Sequence, residues 1–335
     1  MIKEAIRMLV EGRSLTIEQA EGVMKEIMCG EATPAQFGAF VTALRLKGET
    51  VDEIVGMVKI MRDKAIHVKI NEPVVDTCGT GGDAAGTFNI STATAFVAAG
   101  AGLKVAKHGN RAMSSQCGSA DVLEALGIKI DFDADGVRRC IEEVGIGFMF
   151  APLFHPAMKY AAAPRREIGV RTVFNLIGPL TNPAGAKAQV VGVADRVMAE
   201  KIAMVLEFLG CRHALVVHGE NGLDEIAING RTIIYELKED EIESYHISPG
   251  DFGLQEAGLD SIRGGTAAEN ADILRNILSG SRGAQRDVVL MNAAAVLLAG
   301  DKVENLEQGV KLAEEVIDSG RAMQKMEQMI AFSQA

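Results

Sequence analysis

The chain has no apolar run long enough to cross a bilayer, which excludes a helical membrane-spanning protein. Its opening, Met1 to Val10, scatters charges among apolar residues and has no secretory-leader layout. Residence in the cytoplasm is therefore the expectation, with no membrane partner. Tryptophan is absent and aromatic residues make up only 4% of the chain. Cysteines are few and odd in number: Cys29, Cys78, Cys117, Cys140 and Cys211. No two of them form a C-x-x-C pair, so free thiols are expected rather than a disulfide framework. No Cys/His spacing fits zinc. Positive charge is also in deficit, with 34 Lys and Arg against 45 Asp and Glu and a net charge of −11. That balance argues against nucleic acid as a partner, which needs a basic face. No G-K-[ST] follows the glycine-rich stretches, none has the dinucleotide-fold spacing, and there is no G-x-S-x-G elbow.

What remains is the composition of an ordinary globular protein, and 335 residues can bury a sizeable core in one to three domains. The first 65 or so residues read as helices alone. Thr16-Ile17-Glu18-Gln19, Thr33-Pro34-Ala35-Gln36 and Thr50-Val51-Asp52-Glu53 each fit a capping box. Pro34 falls at a first helical position, and Gly30 and Gly48 fall where helices should stop. Near Pro73 the character changes. Strand-like runs at Val74-Val75, Leu103 to Ala106, Lys129 to Asp131, Gly147 to Phe150, Gln189 to Val193 and Ala214 to Val217 alternate with helical patterns. The helical patterns include Ser119 to Leu126, Ala134 to Val144 and Val197 to Leu209. Such alternation predicts an α/β unit with a mostly parallel central sheet covered by helices. Arg231 to Leu237 and Glu241 to Ile247 read as an antiparallel hairpin, and the last 65 residues are helical again. The predicted division is a small helical domain over 1–70, joined by part of 155–185, and a larger α/β domain over 71–335. The proline-punctuated stretch from Pro152 to Pro183 has no strand pattern and can return to the helical domain. A cleft would then lie between the domains, a common place for a ligand.

Two loops carry most of the chemistry. Asp76-Thr77-Cys78-Gly79-Thr80-Gly81-Gly82-Asp83 runs on to Thr87-Phe88-Asn89-Ile90-Ser91-Thr92, and Lys107-His108-Gly109-Asn110-Arg111 is followed by Ser114-Ser115. Each sits between a strand-like run and a helix-like run. A strand, a glycine-rich turn and a helix N-terminus present free backbone N–H groups to an anion. The plainer reading of the first loop is a tight turn that needs glycine for its dihedrals; that of the second is a solvated basic turn. His108 is read as a hydrogen-bonding or packing residue in preference to a general base. Asp224-Glu225 lies beyond the strand-like run Ala214 to Val217. This pair suits Mg²⁺, which binds one or two carboxylates plus substrate phosphate oxygens, or it caps a helix N-terminus. Arg165 and Arg166 either pair with surface acids or hold a carboxylate through parallel hydrogen bonds.

With these residues in view the chain resembles the anthranilate phosphoribosyltransferase family over nearly its whole length. The resemblance rests on G-T-G-G-D, F-N-I-S-T, K-H-G-N-R, the stretch Gly118 to Gly127, N-L-I-G-P-L-T-N-P at Asn175 to Pro183, and H-G-x-x-G-L-D-E at His218 to Glu225. It implies a helical domain hinged to an α/β domain, usually a homodimer. It implies 5-phosphoribosyl 1-diphosphate and anthranilate as substrates, Mg²⁺ as cofactor, and a place in tryptophan biosynthesis. Carried over by motif, Gly79, Gly82, Asp83, Thr87, Asn89, Ile90, Ser91, Thr92 and Lys107 would surround the phosphoribosyl diphosphate, with His108, Gly109, Arg111, Ser114, Ser115 and Ser119. Ser91, Asp224 and Glu225 would hold Mg²⁺, and Gly79, Asn110 and Arg165 would contact anthranilate. The chain departs from the family at Ala84, where glycine is common, and at Gln116 and Cys117, where Lys and Ser are frequent. Two other readings share the fold: a pyrimidine nucleoside phosphorylase, and a non-enzymatic nucleic-acid-binding relative. The first is usually longer and lacks the D-E pair, and the second needs a basic face that this acidic chain does not offer.

Overall fold

A computed structural model describes residues 1–112 and 116–335. It opens with α1 (Ile2–Val10), α2 (Ile17–Met28), α3 (Pro34–Lys47) and α4 (Val51–Asp63). All three capping boxes form: Thr16, Thr33 and Thr50 each accept from the backbone N–H three residues on, and Gln19, Gln36 and Glu53 reach back. These reciprocal bonds satisfy donors that a helix start leaves orphaned. The next elements are β1 (Val75–Gly79), α5 (Ile90–Gly100), β2 (Val105–Gly109), α6 (Ser119–Ala125), α7 (Ala134–Val144) and β3 (Ile146–Phe150). Short helices α8 (Ala151–Phe154), α9 (Lys159–Ile168) and α10 (Val173–Ile177) follow, then β4 (Ala188–Gly192), α11 (Arg196–Phe208) and β5 (His213–Gly219). The hairpin is β6 (Thr232–Lys238) and β7 (Glu241–Ile247). The chain ends in α12 (Ala267–Leu278), α13 (Ala284–Ala299), α14 (Leu306–Asp318) and α15 (Arg321–Gln334).

The strands form one sheet in the order β3-β2-β1-β4-β5-β6-β7, parallel from β3 to β5 and antiparallel from β5 to β7. From β1 the chain steps outward to β3 and then returns to place β4 on the other side of β1. The reversal makes a crevice at the carboxyl ends of β1 and β4, the place where open α/β sheets bind ligands. One sheet face carries Val75, Val105, Val190 and Leu215 under α5 and α13. The other carries Val191, Val193 and Val216 under α11, in a core continuous with the four N-terminal helices.

The return segment packs on those helices. Phe174 of α10 meets Phe37 of α3 at a ring-centroid distance of 5.4 Å, and Arg62 Nε donates to Leu180 O at 2.7 Å. Ile66 N–H donates to Phe154 O at 2.8 Å and Val68 N–H to Pro183 O at 3.1 Å, so the three chain passages between the units run side by side.

Two strand expectations change. Lys129 to Asp131 is not a strand. Ile128 and Ile130 are buried, and the segment is held by α15, where Ser333 Oγ accepts from Lys129 N–H at 3.2 Å. The apolar alternation there serves helix packing rather than sheet pairing. β1 and β2 also run on past their apolar starts through Asp76-Thr77-Cys78-Gly79 and Lys107-His108-Gly109. Those polar residues read as loop in the sequence, but neighbouring strands and buried partners satisfy them.

Glu53 is the polar centre of the helical bundle. It is fully buried and accepts from Leu15 N–H at 3.0 Å, Thr50 N–H at 2.8 Å and Lys47 Nζ at 2.9 Å. Glu53→Ala leaves a nearly buried ammonium unpaired and should lower stability by about 3–5 kcal/mol, whereas Glu53→Gln, which keeps an acceptor, should lose less. Urea unfolding followed by circular dichroism checks this. A loss under about 1 kcal/mol for the alanine variant, the range of an exposed pair, would refute a structural role for the charge.

Candidate functional site

Glycine sets how closely the elements meet at the crevice. Gly79 and Gly192 are direct partners at the ends of β1 and β4. A β-carbon on Gly79 would lie 2.2 Å from Asp224 Oδ2, and one on Gly192 would lie 1.6 Å from Asp224 O. Only bare backbone at both positions admits the Asp224-Glu225 turn. Asp224 Oδ2 then accepts from Gly81 N–H at 2.6 Å, while Thr80 N–H donates to Gly192 O at 2.8 Å. Gly109 serves the second loop in the same way, since a β-carbon there would sit 2.2 Å from Ser119 Oγ.

Ser91, in the first turn of α5, donates its hydroxyl to Glu225 Oε1 at 2.5 Å. The stretch after Glu225 is irregular and begins no helix, so the helix-cap reading of the acidic pair falls away. Burial raises the Asp224 carboxyl well above the usual carboxylate range, and the neighbouring Asp83 and Glu225 charges add to the effect. Burial likewise raises Glu225, to about 7, against the opposing pull of the Ser91 hydrogen bond and of Lys107. Such a cluster of like charges needs a proton or a cation between its oxygens. Among the described residues no group of three or more His, Cys, Asp or Glu side chains makes a complete metal cage. A partial oxygen site suits Mg²⁺, which keeps water and takes phosphate oxygens as further ligands. The donor set Ser91, Asp224 and Glu225 fits that ion.

The other sequence-predicted residues divide into groups. Lys107 is buried and its Nζ donates to Thr77 O at 2.7 Å, within electrostatic reach of Glu225. His108 and His155 are buried with ring centroids 5.0 Å apart, and neither Nε2 has a partner among the described residues. Burial takes His108 down to about 3 and His155 to about 4, so both rings are neutral at physiological pH. Thr92 is buried in α5 and Ile90 opens that helix. Thr87 bridges to Arg263. Asn89 caps nothing: its Nδ2 donates to Cys117 O at 3.1 Å and its Oδ1 accepts from Asn270 Nδ2 at 2.9 Å. Arg111 turns to α6, where it pairs with Asp121 and Glu124, and it lies over the Phe150 ring at 5.5 Å. Asn110 is exposed, and its carbonyl accepts from Ala120 N–H at 3.1 Å and Ser119 Oγ at 3.3 Å. Arg165 forms no ion pair among the described residues and lies over the Phe174 ring at 5.4 Å, where burial lowers its pKa. Ser114 and Ser115 lie outside the described residues.

Three participants were given no role from the sequence, although Asn182 lies within the Asn175 to Pro183 motif. Gly192 is a lone glycine at a strand end, a pattern that marks close backbone approach. Asn182 holds the return segment to the sheet, donating to Asp76 Oδ2 at 2.7 Å and to Ala106 O at 2.8 Å. Arg171 reaches the glycine-rich loop, and its Nη2 donates to Thr80 O at 3.2 Å.

The raised Glu225 pKa carries a sign. A carboxyl held above its unfolded value gives stability at low pH that is lost as pH rises from about 4.5 through about 7. Glu225→Gln keeps an acceptor for Ser91 and removes the charge. With chelator present the variant should match the wild type near pH 4 and exceed it near pH 8 by about 3 kcal/mol. Adding Mg²⁺ at pH 8 should raise the wild-type melting midpoint and leave the variant's unmoved. Parallel pH curves for the two proteins would refute the assignment.

Comparison with known proteins agrees with this geometry. Residues 3–65 match the family model described as the glycosyl transferase family helical bundle domain, and residues 71–323 match that of its a/b domain. An anthranilate phosphoribosyltransferase of Dehalococcoides mccartyi is 57% identical over 337 residues, covering 100% of this chain and 99% of the relative. One from Chloroflexus aurantiacus is 58% identical over 334 residues, covering 99% and 98%. The crystal structure of the Thermus thermophilus enzyme superposes with a TM-score of 0.94 at 44% identity, covering 99% of each chain. The Saccharomyces cerevisiae enzyme, solved in complex with PRPP and Mg, gives 0.92 at 27% identity, covering 99% of this chain and 98% of that one. Full-length identity, both family models and the shared fold place the chain in the anthranilate phosphoribosyltransferase family.

Proposed function

We propose that the chain transfers the 5-phosphoribosyl group from 5-phosphoribosyl 1-diphosphate to the amine of anthranilate. The products are N-(5-phosphoribosyl)anthranilate and diphosphate, and the reaction belongs to tryptophan biosynthesis. The observation that carries this reading is the meeting of Ser91, Asp224 and Glu225 beneath the Gly79 to Asp83 loop, at the switch point of the sheet. Backbone donors and a metal-competent carboxylate pair on one crevice suit a diphosphate leaving group. The S. cerevisiae relatives were solved with PRPP and Mg and with 4-fluoroanthranilate, which supports the same ligands here.

Ser91, Asp224 and Glu225 would hold Mg²⁺, whose charge offsets that of the diphosphate group. The Gly79 to Asp83 loop, Thr87, Asn89 and Lys107 orient the donor. Arg165, desolvated and without a carboxylate partner among the described residues, takes the anthranilate carboxylate, with Gly79 and Asn110 beside it. An aniline-type amine is already unprotonated at neutral pH. His108, held near 3 by burial, need not act as a base. Positioning and fixed dipoles therefore supply the rate, with no covalent intermediate.

The same reading gives a helical domain over 1–70 joined by part of 155–185, an α/β domain over 71–335, and a homodimer in the cytoplasm. Val197, Met204 and Phe208 leave an apolar stripe exposed on α11, a surface of the kind a partner covers. Sedimentation of the purified chain checks the assembly.

Purified protein should consume donor and anthranilate one for one, only with Mg²⁺, and should not split thymidine or uridine with inorganic phosphate. Arg165→Lys keeps charge but loses the planar fork. It should raise the KM for anthranilate roughly tenfold, the size of one charge-assisted hydrogen bond, with little change in the KM for the donor. Robust phosphorolysis without anthranilate turnover would overturn the function. An Arg165→Ala effect confined to the donor would overturn the division of the cleft.

A further inference from the structure

Residues 169–172 join α9 to α10 and pass over the glycine-rich loop. Arg171 stands there, exposed, with its Nη2 on Thr80 O at 3.2 Å. Its guanidinium also fills the space beside Gly82. A β-carbon on Gly82 would lie 1.3 Å from Nη1, 2.1 Å from Cζ and 2.8 Å from Nε. Glycine suits 82 for its backbone, with φ at +80°, and its missing side chain leaves the space that the guanidinium occupies.

An exposed arginine usually turns to a carboxylate, and several lie in this crevice. Arg171 makes no ion pair among the described residues and instead grips a backbone carbonyl of the loop. The rest of the loop is tied to the α/β unit: Thr80 N–H to Gly192 O at 2.8 Å, Gly81 N–H to Asp224 at 2.6 Å, and Gly264 N–H to Gly86 O at 2.8 Å. Arg171 ties it to the other side. Three residues on, Phe174 is packed on α3 of the helical bundle. The guanidinium therefore couples the seating of that bundle to the shape of the turn at Thr80 to Gly82.

We propose that Arg171 is a positioning residue, a latch that holds the Thr80–Gly82 turn in the shape that accepts a diphosphate group. The identity of that group rests on the function proposed above. The latch itself rests on the Thr80 bond and the fit against Gly82. An ammonium at this position can reach Thr80 but cannot fill the planar space beside Gly82, so lysine restores the latch only in part.

The test uses Arg171→Ala and Arg171→Lys in the full chain, with inorganic diphosphate and Mg²⁺ as the binding probe. Arg171→Ala should weaken diphosphate binding in calorimetry roughly tenfold, the size of one charge-assisted hydrogen bond. It should speed amide hydrogen exchange across residues 80–86 in the ligand-free protein. In turnover, the KM for the donor should rise while that for anthranilate at saturating donor stays within about twofold. Arg171→Lys should fall between Arg171→Ala and the wild type in every readout, and it carries the test if the alanine variant does not fold. Unchanged exchange at 80–86 would overturn the latch, and so would an equal rise in both KM values with a lowered melting midpoint. Wild-type protein that binds Mg²⁺-diphosphate yet turns over no donor with anthranilate would overturn the proposed function and leave the latch to be judged by binding and exchange. Wild-type protein that binds no diphosphate would overturn both.

Discussion

Asp224 lies almost wholly out of solvent against two facing glycines, with Asp83 and Glu225 as neighbours. The rest of the site follows from that crowding of negative charge. Buried carboxylates repel one another and resist ionisation until a cation or proton separates them. The fold supplies some relief through Gly81 N–H, the Ser91 hydroxyl and the Lys107 charge nearby. The shifted acids show that this relief is incomplete. A crevice left short of positive charge at this one point is suited to a divalent ion, whose charge would offset that of an anionic leaving group. The acidity of the whole chain is no obstacle, because local donors decide what the crevice binds.

The topology explains why these groups converge. Stepping from β1 out to β3 and back to β4 leaves adjacent strands whose exits diverge. The Asp224-Glu225 turn enters this gap from the end of β5, and α5 brings Ser91 from the side of β1. The return segment spans the same gap and is fastened at its far end by Asn182, which donates to the buried Asp76 carboxylate and to Ala106 O. Arg165 and Arg171 ride on this segment, between the helical bundle and the sheet. One piece of chain thus carries both arginines and ties them to the packing of the bundle.

Local signals in the sequence were readable where one element explains itself. The three capping boxes, the hairpin around its acidic turn and the long helices need only their own residues. The motif loops could also be singled out, since glycine beside polar residues after an apolar run has few other uses. What could not be read was set by contacts distant in the chain. Asp76, Lys107 and His108 belong to strands because a parallel sheet and the return segment satisfy them, and nothing local shows that. Lys129 to Asp131 has the alternation of a strand, but α15 covers it. Arg111 sits in a basic motif, yet acids one and two helical turns along α6 take up its charge. Arg171 stood next to a motif rather than in one, and its role depends on a glycine nearly ninety positions earlier.

The first loop combines freedom and restraint in a way that bears on the whole crevice. Gly81, Gly82 and Gly86 take positive φ, and so does Ala84, at +55°. A left-handed alanine costs about 1–2 kcal/mol, which glycine at that position would avoid. Alanine also restricts the unfolded and open chain more than glycine does, by about 0.4–1 kcal/mol. The second effect offsets only part of the first for overall stability, and the two act differently on the loop. The left-handed strain is borne only in the folded turn, and it persists because neighbouring tethers over-determine the backbone: Asp83 Oδ1 accepts from Ala85 N–H at 3.1 Å, and Gly264 N–H donates to Gly86 O at 2.8 Å. A loop strained at Ala84 and tied at both ends has fewer alternative shapes than one with glycine there. Its backbone donors are therefore set before any anion arrives, and preorganisation of this kind favours charge stabilisation over adaptability.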